Sequence, residues 1–319
     1  MFRLAHISDV HLGPLPDVTY RQLASKRITG YLNWQMNRAK TFNVGALGSI
    51  VSDMLAAKPD HIAVTGDLMN LALADEIAFS VKWLETLGSP HDVSVVPGNH
   101  DAYVPGALRK ASIAWRPWTS GEHGWAKAND NGYPYVRVRG DMAIVGVSSA
   151  RASAPFLATG NFTELQARRM GRILDRAKAE GLARVILIHH PPVRGAAPPH
   201  KRLLGIGTFQ KAVARHGAEL VLHGHTHLPT LYWIGGKDGM VPVVGVAAGG
   251  ESQGHEKPLA QWNLIEVERG DGAEPWHIRL TRRGLVGHTG QIAQLSTEEL
   301  IEPSRRASLQ ARPGAKATA

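Results

Sequence analysis

The sequence predicts an α/β fold, and three observations carry that prediction. Short apolar runs rich in β-branched residues, at 2–7, 61–64, 93–96, 184–188 and 220–222, are closed by Gly, Pro or Asp. Runs of that length read as sheet strands buried on both faces. Between them lie longer stretches with apolar residues at helical spacing, and the C-terminal part turns rich in strands.

The first strand, Phe2–Ile7, leads directly into Ser8-Asp9-Val10-His11. In the segment 20–40 that follows, Tyr20, Leu23, Ala24, Ile28, Tyr31 and Leu32 form an apolar stripe, with Arg21, Lys26, Arg27, Arg38 and Lys40 around it. Gly30 weakens this amphipathic helix in its middle. Further helices are expected near 44–57, 73–87, 162–180 and 206–216; for the third, Asn161 with Glu164 reads as a capping box and Gly181 as a stop. Tyr135–Val138 and Met142–Val147, joined by Gly140-Asp141, read as a hairpin. The stretch from Trp115 through Trp118 to Trp125 reads as an aromatic loop beside Gly98–Asp101, able to wall a pocket. Later strands are expected at 230–234, 242–247, 261–268 and 275–282. Beyond about Leu285 the periodicity fades, and from Pro303-Ser304-Arg305-Arg306 the composition is that of a mobile tail. The expected division is a domain over 1–284 and a flexible tail over 285–319.

A chain of 319 residues can bury a full core. It has no cysteine, which excludes disulfides and thiolate ligands. It has no apolar run of about 18 residues, which excludes a membrane-spanning helix. A cleavable leader is not expected, because the first strand begins by Phe2 and delivers Asp9. The expected location is cytoplasmic, with peripheral contact to the inner membrane through 20–40 left open. The net charge of +9 favours acidic partners through steering toward phosphates. The arginine-rich composition of a GC-rich genome accounts for it equally well.

Five motifs stand just past strand-like runs: Asp9-x-His11, Gly66-Asp67, Gly98-Asn99-His100-Asp101, His189, and Gly224-His225-Thr226-His227. Each alone could be a strand end or a turn, since Gly, Asn and Asp are ordinary turn residues. At the carboxyl ends of neighbouring strands, however, such side chains converge on one rim. Mixed imidazole and oxygen donors suit iron, manganese, zinc or cobalt and disfavour calcium.

In this order, from Asp9 to His227, the motifs resemble those of the calcineurin-like metallophosphoesterases, with every element intact. The resemblance implies a four-layer αββα sandwich with helices outside two facing sheets. It implies two divalent or trivalent ions (Mn, Fe or Zn), one held by Asp9, His11 and His227, the other by Asn99, His189 and His225, with Asp67 bridging. Two dications about 3.5–4 Å apart can generate a bridging hydroxide and clamp the attacking and leaving oxygens of an in-line displacement. His100 resembles the family's histidine that stands beside the metals without binding them. It would protonate the leaving alkoxide or stabilise the phosphoryl oxygens, with Asp101 orienting it and favouring imidazolium. Asn70 lies where relatives often carry Asp or Asn and would orient a ligand. His223 is read as structural or supporting, and His6, His61, His91 and His190 as outside the ligand set.

Within the family, the motifs look most like the bacterial branch with class III cyclic-nucleotide and glycerophosphodiester phosphodiesterases. A small phosphodiester is thus the expected substrate. The basic segment 20–40 is expected to gate the pocket, with Arg27 and Arg38 binding substrate, unless it covers the core or lies on a membrane. Alternatives are a pyrophosphatase or phosphodiesterase on a lipid precursor of the UDP-diacylglucosamine type, or a repair-type nuclease. A metal-free interaction module would show degraded ligands. No nucleic-acid partner is expected; a homo-oligomer is allowed.

Overall fold

The alternation of strands and helices is realised as two facing sheets. The computed structural model describes residues 1–38, 44–125, 127–252, 257–270, 275–287 and 290–302. The side chains of Asn33, Asn37 and Arg38 lie outside that description. The first sheet begins with β1 (Phe2–Ile7), β2 (His61–Val64) and β3 (Val93–Val95), which run parallel. The second holds β4 (Tyr135–Arg139), β5 (Met142–Gly146), β7 (Ala183–Leu187), β9 (Leu220–His223), β10 (Leu231–Gly235) and β11 (Met240–Gly245). A short pair, β6 (Gly160–Asn161) and β8 (Leu203–Leu204), stands apart from both. The chain then returns to the first sheet through β12 (Gln261–Arg269), β13 (Trp276–Val286) and β14 (Gln291–Glu299).

Helices α1 (Tyr20–Leu23) and α2 (Arg27–Asn33), with a π turn over Trp34–Arg38, form a cap after β1. The others are α3 (Val44–Ala56), α4 (Ala74–Leu87), α5 (Ala107–Ala114), α6 (Arg116–Thr119), α7 (Glu164–Ala179) and α8 (Ile206–His216). Strand period two sorts their partners, because successive side chains point to opposite faces. In β1, Ala5 and Ile7 join Ile50, Met54, Ile77 and Leu84 outside the first sheet. Leu4 points the other way, into a layer with Ala63, Ile265, Ile144, Val185 and Leu222 between the sheets. In β7, Ile186 joins Met170, Ile173, Phe209 and Val213 outside the second sheet. Three apolar layers separate four layers of structure, giving the αββα sandwich.

Three local expectations are corrected. The cap of α7 is Thr163, whose Oγ1 accepts from Gln166 N at 3.3 Å; Asn161 is engaged instead in the β6–β8 pair. Trp115 and Trp118 do not wall a pocket. They sit on α5–α6 in the outer core of the first sheet, and Trp115 Nε1 donates to Ser80 Oγ at 2.8 Å. The boundary expected at 285 falls inside β13, and β14 pairs with it from Gln291 to Glu299. That strand is at the sheet edge and mostly exposed, so it carries no apolar alternation to read. The tail expected from Pro303 lies outside the described residues.

Candidate metal centre

The loops after β1, β2 and β3 of one sheet meet those after β7 and β9 of the other. Backbone bonds lock the loops within each sheet, Asp9 N donating to Gly66 O, His11 N to Asp67 O and Gly224 N to His189 O, at 2.9, 3.0 and 3.1 Å, and His225 N donates across to Asp9 Oδ2 at 2.9 Å. The chain turns sharply at each junction. Asp9, His11, Asp67, His225 and His227 all adopt positive φ, between 41° and 68°. For non-glycine residues such backbone costs about 1–3 kcal/mol each and persists only where surroundings enforce it. Gly98 and Gly224 permit the close approach. A Cβ at Gly98 would strike Asp67, and one at Gly224 would strike Ser8 Oγ and Asp9 Oδ2.

Two groups of donors result. Asp9, His11 and His227 form one, and Asp67, His189 and His225 the other; His100 shares a third with His11 and Asp67. The separations are 3.3 Å from His227 Nε2 to Asp9 Oδ1, 3.3 Å from His189 Nε2 to Asp67 Oδ2, and 4.0 Å from His11 Nε2 to Asp67 Oδ2. Asn99 Oδ1 lies 3.2 Å from His189 Nε2. Four rings are oriented by a backbone carbonyl. His11 Nδ1 donates to Met69 O, His189 Nδ1 to Thr65 O, His100 Nδ1 to Asn70 O and His225 Nε2 to Lys201 O. Each turns its other nitrogen toward the site, and a carbonyl of this kind is how proteins orient a metal-ligating histidine. Asp9 Oδ1 is buried, and the ring of His227 at 3.3 Å is the group that faces it. Seven nitrogen and oxygen donors without sulfur fit a pair of transition-metal dications, and the two clusters are consistent with a dinuclear centre.

The electrostatics agree with a site made for cations. Burial opposes ionisation of Asp9 and Asp67, but the rings of His227 and His189 hold both carboxyls well below their ordinary range. The same contact works in reverse on His189: burial disfavours its charge, yet Asp67 raises it to about 9. Burial lowers the other rings instead, and His225 of the second group is pushed well below the ordinary imidazole range by burial and the neighbouring His190. Burial, then the neighbouring His189, pushes His190 down to about 3, and burial with His223 does the same to His6. His190 bonds Ser149 Oγ and Ala158 O, His6 bonds Thr65 Oγ1, and His223 bonds Gly224 O. These are satisfied core histidines.

Three expected roles change. Asp101 does not reach His100; its carboxylate accepts from the amides of Asp67, Leu68, Met69 and Gly98 at 2.8–3.1 Å. Its contribution is to hold the Asp67 and Gly98 turns together, and the carbonyl of Asn70 aims His100 instead. The Asn70 side chain donates to Leu12 O, tying the first and second loops rather than touching a donor of the site. Arg27 does not face the site: its Nε and Nη2 donate to Leu71 O and Ala72 O at 2.9 and 2.7 Å. A planar guanidinium spans two successive carbonyls well, so Arg27 clips the cap onto the loop after Asp67. Of Arg38 the side chain is outside the described residues.

Two residues that sequence reasoning missed stand near His100. Tyr103 stacks on its ring at 5.3 Å and 22°, and Lys26 lies 4.8 Å above the Tyr103 ring while donating to Ser153 Oγ and Leu157 O. Lys26 thereby bridges the cap to a loop of the other sheet. Nothing in its sequence surroundings distinguishes it from the four other basic residues of 20–40.

The calcineurin-like phosphoesterase family matches residues 2–229. Among solved structures, a dimetal phosphatase from Danio rerio is similar at 12% identity and a TM-score of 0.59, covering 94% of this chain and 98% of its own. A purple acid phosphatase from yellow lupin (Lupinus luteus) seeds is similar at 14% identity and a TM-score of 0.53, covering all of this chain and 57% of its own. At these identities the likeness concerns the fold alone. A search of curated proteins by sequence finds no match.

Proposed function

This chain belongs to the calcineurin-like phosphoesterases, and from that premise we propose that it is a dinuclear phosphodiesterase acting on a small phosphodiester such as a cyclic nucleotide or a glycerophosphodiester. One ion, of manganese, iron or zinc, would be held by Asp9, His11 and His227, the other by Asn99, His189 and His225, with Asp67 shared. When bound, such ions supply Lewis-acid charge and an activated water. The observation that carries the reading is the donor set itself: imidazoles pre-oriented by carbonyls around only two carboxylates. Two dications exceed the charge of Asp9 and Asp67, and the neutral Asn99 preserves the excess. An anionic phosphate is then drawn in rather than repelled.

His100 supplies the general acid. Its Nδ1–H is held by Asn70 O at 2.7 Å and its ring by Tyr103, so a second proton at Nε2 faces the cluster. Donating that proton to a departing alkoxide matters most for poor leaving groups such as a sugar hydroxyl. The test is metal content and turnover of Asp67→Asn beside the parent protein, against bis-p-nitrophenyl phosphate, cyclic nucleotides, glycerophosphodiesters and lipid pyrophosphates. Loss of both metals with loss of turnover is expected. Normal metal content and turnover in Asp67→Asn would remove the shared-ligand reading. The lipid pyrophosphates are included because the cap leaves apolar side chains in solvent, which favours an amphiphilic substrate as the second reading.

A further inference from the structure

We propose that the rim of the site is a docking surface for an anionic lipid membrane, built from the cap and the loop 150–158. The cap buries one side only. Tyr31 packs against the first core, Arg27 clips to Leu71 and Ala72, and Gly30 lies against Tyr103. Ile28, Leu32 and Met36, spaced four residues apart, are 50%, 50% and 64% exposed, and Tyr20 is 94% exposed. Across the site, Phe156 is 82% exposed at the tip of its loop, with φ of +64°. A bulky side chain held in left-handed backbone, presenting its ring to water, has no account in folding stability. The segments that carry the two apolar groups adjoin, because Lys26 Nζ donates to Leu157 O and Ser153 Oγ.

Charge identifies the occupant. There is no acidic residue between Asp17 and Asp53, between Asp141 and Glu164, or between Glu180 and Glu219. Those three stretches are the ones that meet here. The first contains the cap, the second the Phe156 loop, and the third reaches that loop where Ala158 N donates to His200 O. Arg21, Arg151, Lys201 and Arg202 are exposed within them, without a carboxylate in the same stretch. Exposed apolar side chains set among cations match the interface of an anionic bilayer, where rings and aliphatic chains enter the acyl boundary and cations meet headgroups. A polyanion such as nucleic acid would use the cations but leave Ile28, Met36 and Phe156 in water. Docking is independent of the chemistry proposed for the metals, so it is measured without turnover.

The experiment is co-sedimentation of the full chain with vesicles of phosphatidylglycerol and phosphatidylcholine, and with phosphatidylcholine alone. Binding is expected to the mixed vesicles at low salt and to fall in about 1 M salt, where screening shortens to about 3 Å. Phe156→Asn, which tolerates left-handed backbone, and Ile28→Gln with Met36→Gln should each weaken partitioning about tenfold or more, as expected for losing a buried apolar side chain. Melting temperature, metal content and turnover of bis-p-nitrophenyl phosphate should not change. Absence of vesicle binding would overturn the proposal, as would binding that both variants leave intact. Preferential binding to duplex DNA, unaffected by Phe156→Asn, would assign the surface to a polyanion instead.

Discussion

Replacing Asp101 by Asn tests how the site is held. The carboxylate accepts four backbone amides, Oδ2 from Asp67 and Gly98 and Oδ1 from Leu68 and Met69, at 2.8–3.1 Å. The residue is fully buried. Asn can offer a carbonyl to one pair of amides, but its NH2 must then face the other pair, donor against donor. Two buried amides lose their acceptor, at about 1–3 kcal/mol each, for a total of about 2–6 kcal/mol. At about 2 °C per kcal/mol for a chain of this size, the melting temperature should fall by about 4–12 °C. Asp67 and Gly98 lose their shared anchor, so metal content should fall in parallel. Thermal unfolding and metal analysis on the same preparations read both effects. A variant that melts within about 2 °C of the parent with full metal content, yet loses turnover, would refute this account. It would mean that Asp101 acts chemically on His100 after all.

Two other substitutions separate chemistry from support. His100→Ala should keep its metals and melting temperature but lose about 10²–10⁴ in turnover on alkyl phosphodiesters, and far less on p-nitrophenyl esters, whose leaving group needs little protonation. An equal loss on both would make His100 a phosphate ligand rather than an acid. Asp53 on α3 accepts from Trp262 Nε1 and from Arg283 Nε and Nη2 at 2.6–2.8 Å, tying the helix to β12 and β13. Burial raises its carboxyl, but these bonds outweigh it and the folded value lies below the ordinary one. Its stabilisation is therefore complete above about pH 4, the unfolded value, and lost as pH falls through the folded one. Asp53→Asn should be less stable than the parent by about 1–2 kcal/mol at pH 7. The two should converge as pH falls through the folded value, as followed by denaturant unfolding across pH. A gap that persists in acid would mean that the carboxylate charge is not what stabilises this contact.

Much of the architecture was legible in the chain because its signals are local. β1, α8 and the hairpin of β4 and β5 are specified by period and turn residues within a few positions, and the structure places them within a residue or two of expectation. The candidate donors were legible for a related reason: chemistry demands particular side chains immediately after strands, so the motifs survive without any contact being known. What a side chain touches across the fold is not encoded that way. Asp101 neighbours His100 in sequence, yet its carboxylate turns to the amides of another loop. Arg27 reads as a free cation, yet it clips to Leu71 and Ala72, while Lys26 beside it reaches the opposite sheet. The edge strand β14 escaped notice because it buries too little to need an apolar pattern. Periodicity and donor chemistry are properties of segments, and the sequence determined them by itself. Partner choice, exposure and the meeting of acid-free stretches around one rim depend on distances between segments, and only the tertiary structure decided those.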